Sequence, residues 1–326
     1  MNRVRLGFVG AGGIAERHFG VLEGFDDVEI VAVADTDRDR AQRAAERFGA
    51  TVFDSGEAMV DAGGIDALYI CVPPFAHGPV ERAAVRAGVP FFVEKPVAVD
   101  LETAEDVARS VEETGLVTAV GYHWRYFDTV DEASHLLAQR PATLASGYWL
   151  ASTPPPQWWW KTSGSGGQIV EQTTHILDLA RYLLGDVEQV FAREARTQRV
   201  GFPGLDVATA STITLSFRSG AIATINSTCL LNWGHRIGLH LFGDGFAIEL
   251  SEQDIMVDVG AGRAVRRAEG DPVVAEDRDF IDAVMGREKK IRCPYAQALK
   301  TQRLAFAAVR SAAIGQPVTL LESQIR

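Results

Sequence analysis

A short apolar run, Leu6-Gly7-Phe8-Val9, ends in Gly10-Ala11-Gly12-Gly13-Ile14-Ala15, and this junction constrains the fold more than any other part of the 326-residue chain. A strand that ends in Gly-x-Gly lets its backbone approach a dinucleotide pyrophosphate closely. The helix that follows aims its unpaired N–H groups and positive dipole end at the same group. Gly10 and Gly12 fill the first two positions, and Ala15 takes the third, where a small side chain lets helix pack on strand. Glycine turns are common, so the pattern needs context. Val28-Glu29-Ile30-Val31-Ala32-Val33-Ala34 reads as a second buried strand that ends at Asp35, close to the spacing of a carboxylate that binds the adenosine ribose. Asp35 would accept both ribose hydroxyls and repel a 2′-phosphate, which favours NAD as the cofactor. It reads equally as the start of the turn Asp35-Thr36-Asp37 and a cap for the next helix. Both can hold, and Arg38 nearby leaves NADP open.

Short Val/Ile/Phe-rich strands, expected near 4–9, 28–34, 50–53, 66–72, 89–93 and 116–121, alternate with helical stretches, the signature of a parallel sheet covered on both faces. The expected fold is therefore α/β, with an N-terminal doubly wound (Rossmann) domain over residues 1–121. After Gly121 the pattern changes. No strand-helix alternation is expected there until a helix near 170–184. Runs at 208–217 and 221–228 then alternate with period two around Arg218-Ser219-Gly220, an antiparallel hairpin. Strands near 237–243, 246–250 and 254–259 extend it, and helices near 276–286 and 295–314 close the chain. Residues 122–326 are thus expected to form a C-terminal α+β domain with a large, mostly antiparallel open sheet.

A net charge of −11 argues against nucleic acid or an anionic membrane surface as partner, since either would be repelled. The cluster Arg287-Glu288-Lys289-Lys290-Ile291-Arg292 reads as a solvated loop. No charged-then-apolar leader and no membrane-length apolar run is visible, so a cytoplasmic protein is expected. The three cysteines, Cys71, Cys229 and Cys293, fit neither a disulfide framework nor a zinc site.

Two constellations carry chemistry. Lys95, in Phe91-Phe92-Val93-Glu94-Lys95-Pro96, follows a buried strand at the carboxyl edge of the sheet, where ligands bind in open parallel folds. Its ammonium can meet a substrate oxygen there; the plain alternative is a surface lysine paired with Glu94. Glu171, His175 and Asp178, four and three residues apart on one expected helix after a glycine loop, share a face and could relay a proton or bind hydroxyls. A capped amphipathic helix with a satisfied histidine is the alternative, and three metal ligands on adjacent turns of one helix would have poor geometry. Pro73-Pro74-Phe75-Ala76-His77 also follows a strand, so His77 either approaches the nicotinamide end of a dinucleotide or simply begins a helix. Trp158-Trp159-Trp160 could stack on sugar faces or pack between elements, and at least one is expected to pack.

With these motifs in order, the chain resembles the glucose-fructose oxidoreductase, inositol dehydrogenase and MocA family along nearly its whole length. The resemblance implies a Rossmann domain, a C-terminal α+β domain that often mediates homodimers or homotetramers, and NAD(P)-dependent hydride transfer on a sugar, polyol or related alcohol. It implies Lys95 and His175 as catalytic, with Glu171 beside them. Cofactor contacts would come from Gly10, Gly12, Gly13, Ile14, Asp35, Arg38, Pro73, His77, Glu94 and Lys95. His123, Arg125, Trp160 and Asp178 would line the substrate site, and no metal is implied. The chain departs from the family pattern where Glu171 replaces the usual Asp, Thr173 the usual Gly, and Tyr122-His123-Trp124-Arg125 an Asn-x-Arg. Two other readings share the machinery: a glycoside hydrolase working through transient oxidation, and a non-catalytic sensor of dinucleotide or sugar.

Overall fold

The structure, a computed structural model, describes residues 3–287 and 290–320. Its elements begin with β1 (Val4–Val9), α1 (Gly13–Leu22), β2 (Val28–Ala34), α2 (Arg38–Phe48), β3 (Thr51–Phe53), α3 (Gly56–Ala62), β4 (Ala67–Ile70), α4 (Pro79–Ala87), β5 (Phe91–Val93), α5 (Leu101–Thr114) and β6 (Thr118–Val120). There follow α6 (Asp128–Gln139), β7 (Ala142–Ser152), α7 (Thr162–Ser165), α8 (Thr174–Leu184), β8 (Val187–Ala195), β9 (Ala210–Phe217) and β10 (Ile222–Leu231). The chain continues through β11 (Arg236–Gly243), β12 (Phe246–Ser251), β13 (Asp254–Asp258), β14 (Arg263–Arg267), α9 (Pro272–Val284), α10 (Tyr295–Ile314) and β15 (Val318–Thr319).

Two units share the chain. Met1–Ala98, Glu102–His123 and Asp271–Leu299 form the first; Val99–Leu101, Trp124–Gly270 and Lys300–Arg326 form the second. A single cut after residue 121 therefore does not describe the chain, because 271–299 returns to the first unit. The parallel sheet of that unit has the order β3-β2-β1-β4-β5-β6, so β1 lies centrally and the strand order reverses beside it. Phe8, Tyr69 and Phe92 stack across β1, β4 and β5 with ring centroids 4.7 and 5.0 Å apart. Phe19 of α1 and Phe280 of α9 close on this stack at 4.6 to 5.9 Å. Aromatic burial of this size makes α9, distant in sequence, part of the first unit's core.

In the second unit nine strands run in the order β14-β13-β12-β11-β7-β10-β9-β8-β15. Among the described residues, only the β7–β10 pairing of this sheet is parallel. The hairpin expected at 208–228 is β9–β10, displaced by up to three residues at its ends. The sequence reading of this region is incomplete. α6 and β7 lie where no alternation was expected, and β8 and β14 add strands to the sheet. β7 is the central strand, yet Gly147 interrupts its middle and Tyr148, Trp149 and Leu150 follow consecutively. A Cβ on Gly147 would stand 2.6 Å from Cγ2 of Ile176. The missing side chain is what lets α8 lie on the sheet, and it is also what hides the strand's apolar alternation. The basic cluster at 287–292 falls partly outside the described residues. Among the described residues no helix is long and apolar enough to cross a membrane.

Gly147→Ala should force Ile176 off the sheet and lower the unfolding free energy by about 1–3 kcal/mol, as overpacking does; urea unfolding of the two proteins measures it.

Candidate active site

The glycine turn has the form expected of a phosphate cradle. Gly10 holds φ +90°, and a Cβ there would collide with the Cys71 carbonyl. A Cβ on Gly12 or Gly13 would meet nothing within 4 Å. Gly12, the N-cap of α1, brings no side-chain acceptor to the helix start, so backbone N–H groups face open space where an anion would sit. These residues fit a bound dinucleotide.

Asp35 is more enclosed than either reading required. Its side chain is 6% exposed. Oδ2 accepts the Ala11 N–H at 2.8 Å, Oδ1 accepts the Asp37 N–H at 2.7 Å, and Arg40 reaches Oδ1 at 3.1 Å. The carboxylate thus ties the end of β2 to the glycine turn, with lone pairs remaining for a hydroxyl. It starts the turn, but the cap of α2 is Asp37, which accepts the N–H groups of Asp39 and Arg40. Arg38 is an exposed residue opening α2, whereas Arg40 bridges Asp35 and Asp37. Sequence reading missed Arg40; its signal was the cap at Asp37, which brings the third helical residue back over the turn.

At the carboxyl ends of β4 and β5 the side chains are held by buried or part-buried hydrogen bonds. Pro73 leads into a short 3-10 turn, Pro74–Ala76, and His77 follows it. His77 Nδ1 lies 2.6 Å from Glu81, whose other oxygen accepts the Gly78 N–H at 2.6 Å. Lys95 is half-buried immediately after β5, on a cis Lys95-Pro96 bond. Glu94 is buried rather than set on the surface. Its side chain is 7% exposed, with Oε2 accepting the Lys95 backbone N–H at 3.1 Å and Oε1 lying 3.1 Å from His18 Nε2. His18 Nδ1 lies 2.9 and 3.0 Å from the two oxygens of Asp277, and Tyr69 donates to Asp277 at 3.2 Å. Ligand-type atoms of His18, Glu94 and Glu276 all lie within 4.8 Å of one another. His18, Glu276 and Asp277 were missed in the sequence, because nothing in the local pattern of α1 or α9 distinguishes them from core positions.

Burial opposes a charge on His18, but Asp277 and Glu94 outweigh it and hold the ring well above its ordinary value. Burial likewise opposes ionisation of Glu94, yet the bond and charge of His18 keep it below the usual carboxylate range, aided by Lys95 and His123. Glu276, buried beside Glu94, is pushed well up. His123, at the end of the first unit, is driven down to about 4 by burial, Lys95 and His18 against the opposing pull of Glu94. It stays neutral near pH 7.

In the second unit, Glu171 lies in a π-helical turn, Ile169–Thr173, that runs into α8 carrying His175 and Asp178. The wider turn changes the angular offset between Glu171 and His175 from the regular helix assumed in the sequence; such turns cluster at functional sites. Glu171 accepts Trp159 Nε1 at 2.6 Å, and the His175 ring stacks on Trp149 with centroids 5.5 Å apart. Thr173, where the family pattern has Gly, donates its hydroxyl to Ser227 at 2.7 Å. Asp178 and Arg125 depart from the expected substrate contacts. They form a buried bidentate pair at 2.7 Å per bond, and Thr301 donates to Asp178 at 2.6 Å. Trp160 donates Nε1 to the Pro154 carbonyl at 2.8 Å and packs edge-on against Phe202, so it too is engaged locally. The packing role expected of one tryptophan belongs to Trp159, in a small core with Val207 and Cys229.

Residues 4–122 match the family described as "Oxidoreductase family, NAD-binding Rossmann fold", and residues 141–249 match the "GFO/IDH/MocA C-terminal domain". The D-glucoside 3-dehydrogenase of Escherichia coli (strain K12) is 27% identical over 97% of this chain and 97% of its own. The myo-inositol 2-dehydrogenase of Thermotoga maritima is 28% identical over 74% of this chain and 73% of its own. In fold, the chain resembles the WlbA dehydrogenase of Bordetella pertussis, solved in complex with NADH and UDP-GlcNAcA, with TM-score 0.85, 22% identity and 98% of each chain covered.

Asp178→Ala leaves Arg125 buried without its partner, and a loss of about 3–5 kcal/mol in unfolding free energy is expected, read by denaturant titration. His123 gives a pH signature. A ring that ionises near 6.5 when unfolded and near about 4 when folded contributes stability above the first value and loses it as pH falls toward the second. Unfolding midpoints of the wild type and His123→Asn between those limits should diverge at the upper end and converge at the lower.

Proposed function

The chain belongs to the Gfo/Idh/MocA oxidoreductase family, with its NAD-binding Rossmann fold, and from that premise we propose that it oxidises a carbinol carbon of a sugar, inositol-like polyol or related alcohol. The observation that carries the reading is a bare glycine cradle at β1 and α1 together with Lys95 at the carboxyl end of β5 in the same parallel sheet. Relatives named for D-glucoside and myo-inositol oxidation support the substrate class.

When bound, NAD supplies the carbon that accepts the hydride. Lys95 donates a charged hydrogen bond to the reacting oxygen and polarises it. His175 takes the hydroxyl proton as general base. Its ring plane is set by the Trp149 stack, which restricts rotation without using either nitrogen. Glu171, steadied by Trp159, orients the base or a neighbouring hydroxyl. Asp178 and Arg125 serve a different purpose from the one first expected: their pairing anchors α8 and thereby fixes His175 one turn away. Gly10, Gly12, Gly13 and Ile14 would hold the pyrophosphate, and Asp35 would receive the ribose. Arg40, rather than Arg38, decides how far a 2′-phosphate is tolerated.

The open face of the second unit's sheet supports homodimers or homotetramers, since it exposes Leu144, Ile222 and Val265 beside Tyr148, Arg236 and Glu249. Cytoplasmic residence is proposed with it.

Absorbance at the NADH band, with NAD or NADP against inositols, aldoses, sugar acids and glucosides, tests the reaction. One substrate class should give turnover that Lys95→Ala and His175→Ala each reduce by about 100-fold or more. Undiminished turnover in Lys95→Ala would sink the assignment.

A further inference from the structure

We propose that His18 is a positioning residue for Lys95: held as a doubly protonated ring between Asp277 and Glu94, it fixes the carboxylate on which the Lys95 backbone rests. The inference rests on the catalytic reading of Lys95 and adds a device behind it.

The geometry carries the argument. His18 is fully buried, and both ring nitrogens face carboxylate oxygens, Nδ1 at 2.9 and 3.0 Å from Asp277 and Nε2 at 3.1 Å from Glu94. With both carboxylates ionised, a neutral imidazole, which carries one N–H, would turn its other nitrogen's lone pair to an oxygen lone pair; only the doubly protonated ring donates on both sides. Glu94 passes the constraint onward. One oxygen meets His18 and the other accepts the Lys95 N–H at 3.1 Å, so the orientation of the carboxylate and the start of the Lys95 side chain are set together. Gly121 leaves room for this, since a Cβ there would stand 2.5 to 2.9 Å from the Glu94 carboxyl atoms.

The groups facing this pair come from every element around it. Asp277 and Glu276 come from α9, Tyr69 and Cys71 from β4 and its end, Lys95 from the end of β5, and His123 and Asp271 from the segments beyond β6 and before α9. Burial raises Glu276, Tyr69 and Cys71 toward their neutral forms and also raises Asp277, against the opposing pull of His18 and Tyr69, while His123 is neutral. Lys95 also favours the Glu94 charge, but His18 is its foremost stabiliser.

Removing the imidazolium lets burial win at Glu94, so its carboxyl should titrate at higher pH. In protein labelled at the glutamate carboxyl carbon, with the Glu94 signal assigned by Glu94→Gln, the midpoint in His18→Gln should lie about one unit or more above wild type. This readout needs no substrate. Ring-labelled histidine should show His18, one of seven histidines, protonated well above the ordinary range. In turnover, with myo-inositol as the first probe and then the substrate found in the screen, His18→Gln should lose about tenfold in kcat on the acid side and recover as pH rises. KM for NAD should change little. Adding His18→Gln to Glu94→Gln should cost nothing further, because both act through one carboxylate. If His18→Gln does not fold, Asp277→Asn weakens the same ring from its other side and should move the Glu94 midpoint in the same direction by less.

A His18 ring that titrates near its ordinary value, an unmoved Glu94 midpoint, or a kcat loss equal at every pH would overturn the proposal. Undiminished turnover in Lys95→Ala removes the catalytic reading itself. An inactive Lys95→Ala beside a His18→Gln with wild-type pH behaviour removes only the positioning role.

Discussion

An ionised carboxylate buried at the end of β5 has to be compensated, and much of the first unit can be understood as the means of doing so. Taking such a charge out of water costs several kcal/mol unless donors and a counter-charge meet it in good geometry. Glu94 has a backbone N–H on one oxygen and His18 on the other. His18 in turn requires Asp277, and Asp277 requires that α9 lie against α1 and the aromatic stack of β1, β4 and β5. The position of a helix near the C-terminus is thus coupled to the end of a strand that bears the lysine.

The second unit solves a comparable problem with a different pair. Arg125 and Asp178 are almost fully enclosed, matched bidentately and completed by Thr301, the arrangement that makes a buried ion pair tolerable. Around them, the Gly147 gap seats α8 on the sheet, Thr173 meets Ser227, and Trp159 restrains Glu171. These contacts are local and short, so His175 is carried on a rigid support rather than on a loop.

Much of this was legible in the sequence where chemistry is written locally. The glycine turn, the apolar strands and the placement of Lys95 after β5 follow from periodicity and punctuation within a few residues. The α/β class followed from the same signals. What escaped was of two kinds. β7 was invisible because Gly147 interrupts its middle and large side chains stand consecutively at Tyr148, Trp149 and Leu150, so no clean alternation survives to be read. His18, Asp277 and Glu276 were invisible because each looks like an ordinary residue of an amphipathic helix, and their meaning lies in a pairing 259 residues apart. The fate of Asp178 and Trp160 belongs to the second kind: residue type suggested a ligand, and tertiary partners claimed the polar atoms first.

The return of Asp271–Leu299 to the first unit has a consequence for the order in which the protein matures on the ribosome. Every strand of the parallel sheet has emerged by Val120, but the anion on the far side of His18 has not. Until α9 appears, the nascent sheet carries a buried histidine facing Glu94 alone and an aromatic stack open on the side that Phe280 will cover. The intervening chain, which is most of the second unit, is synthesised while the first remains incomplete. A release of the chain before α9 would yield a parallel sheet without the Asp277 contact that holds His18 against Glu94.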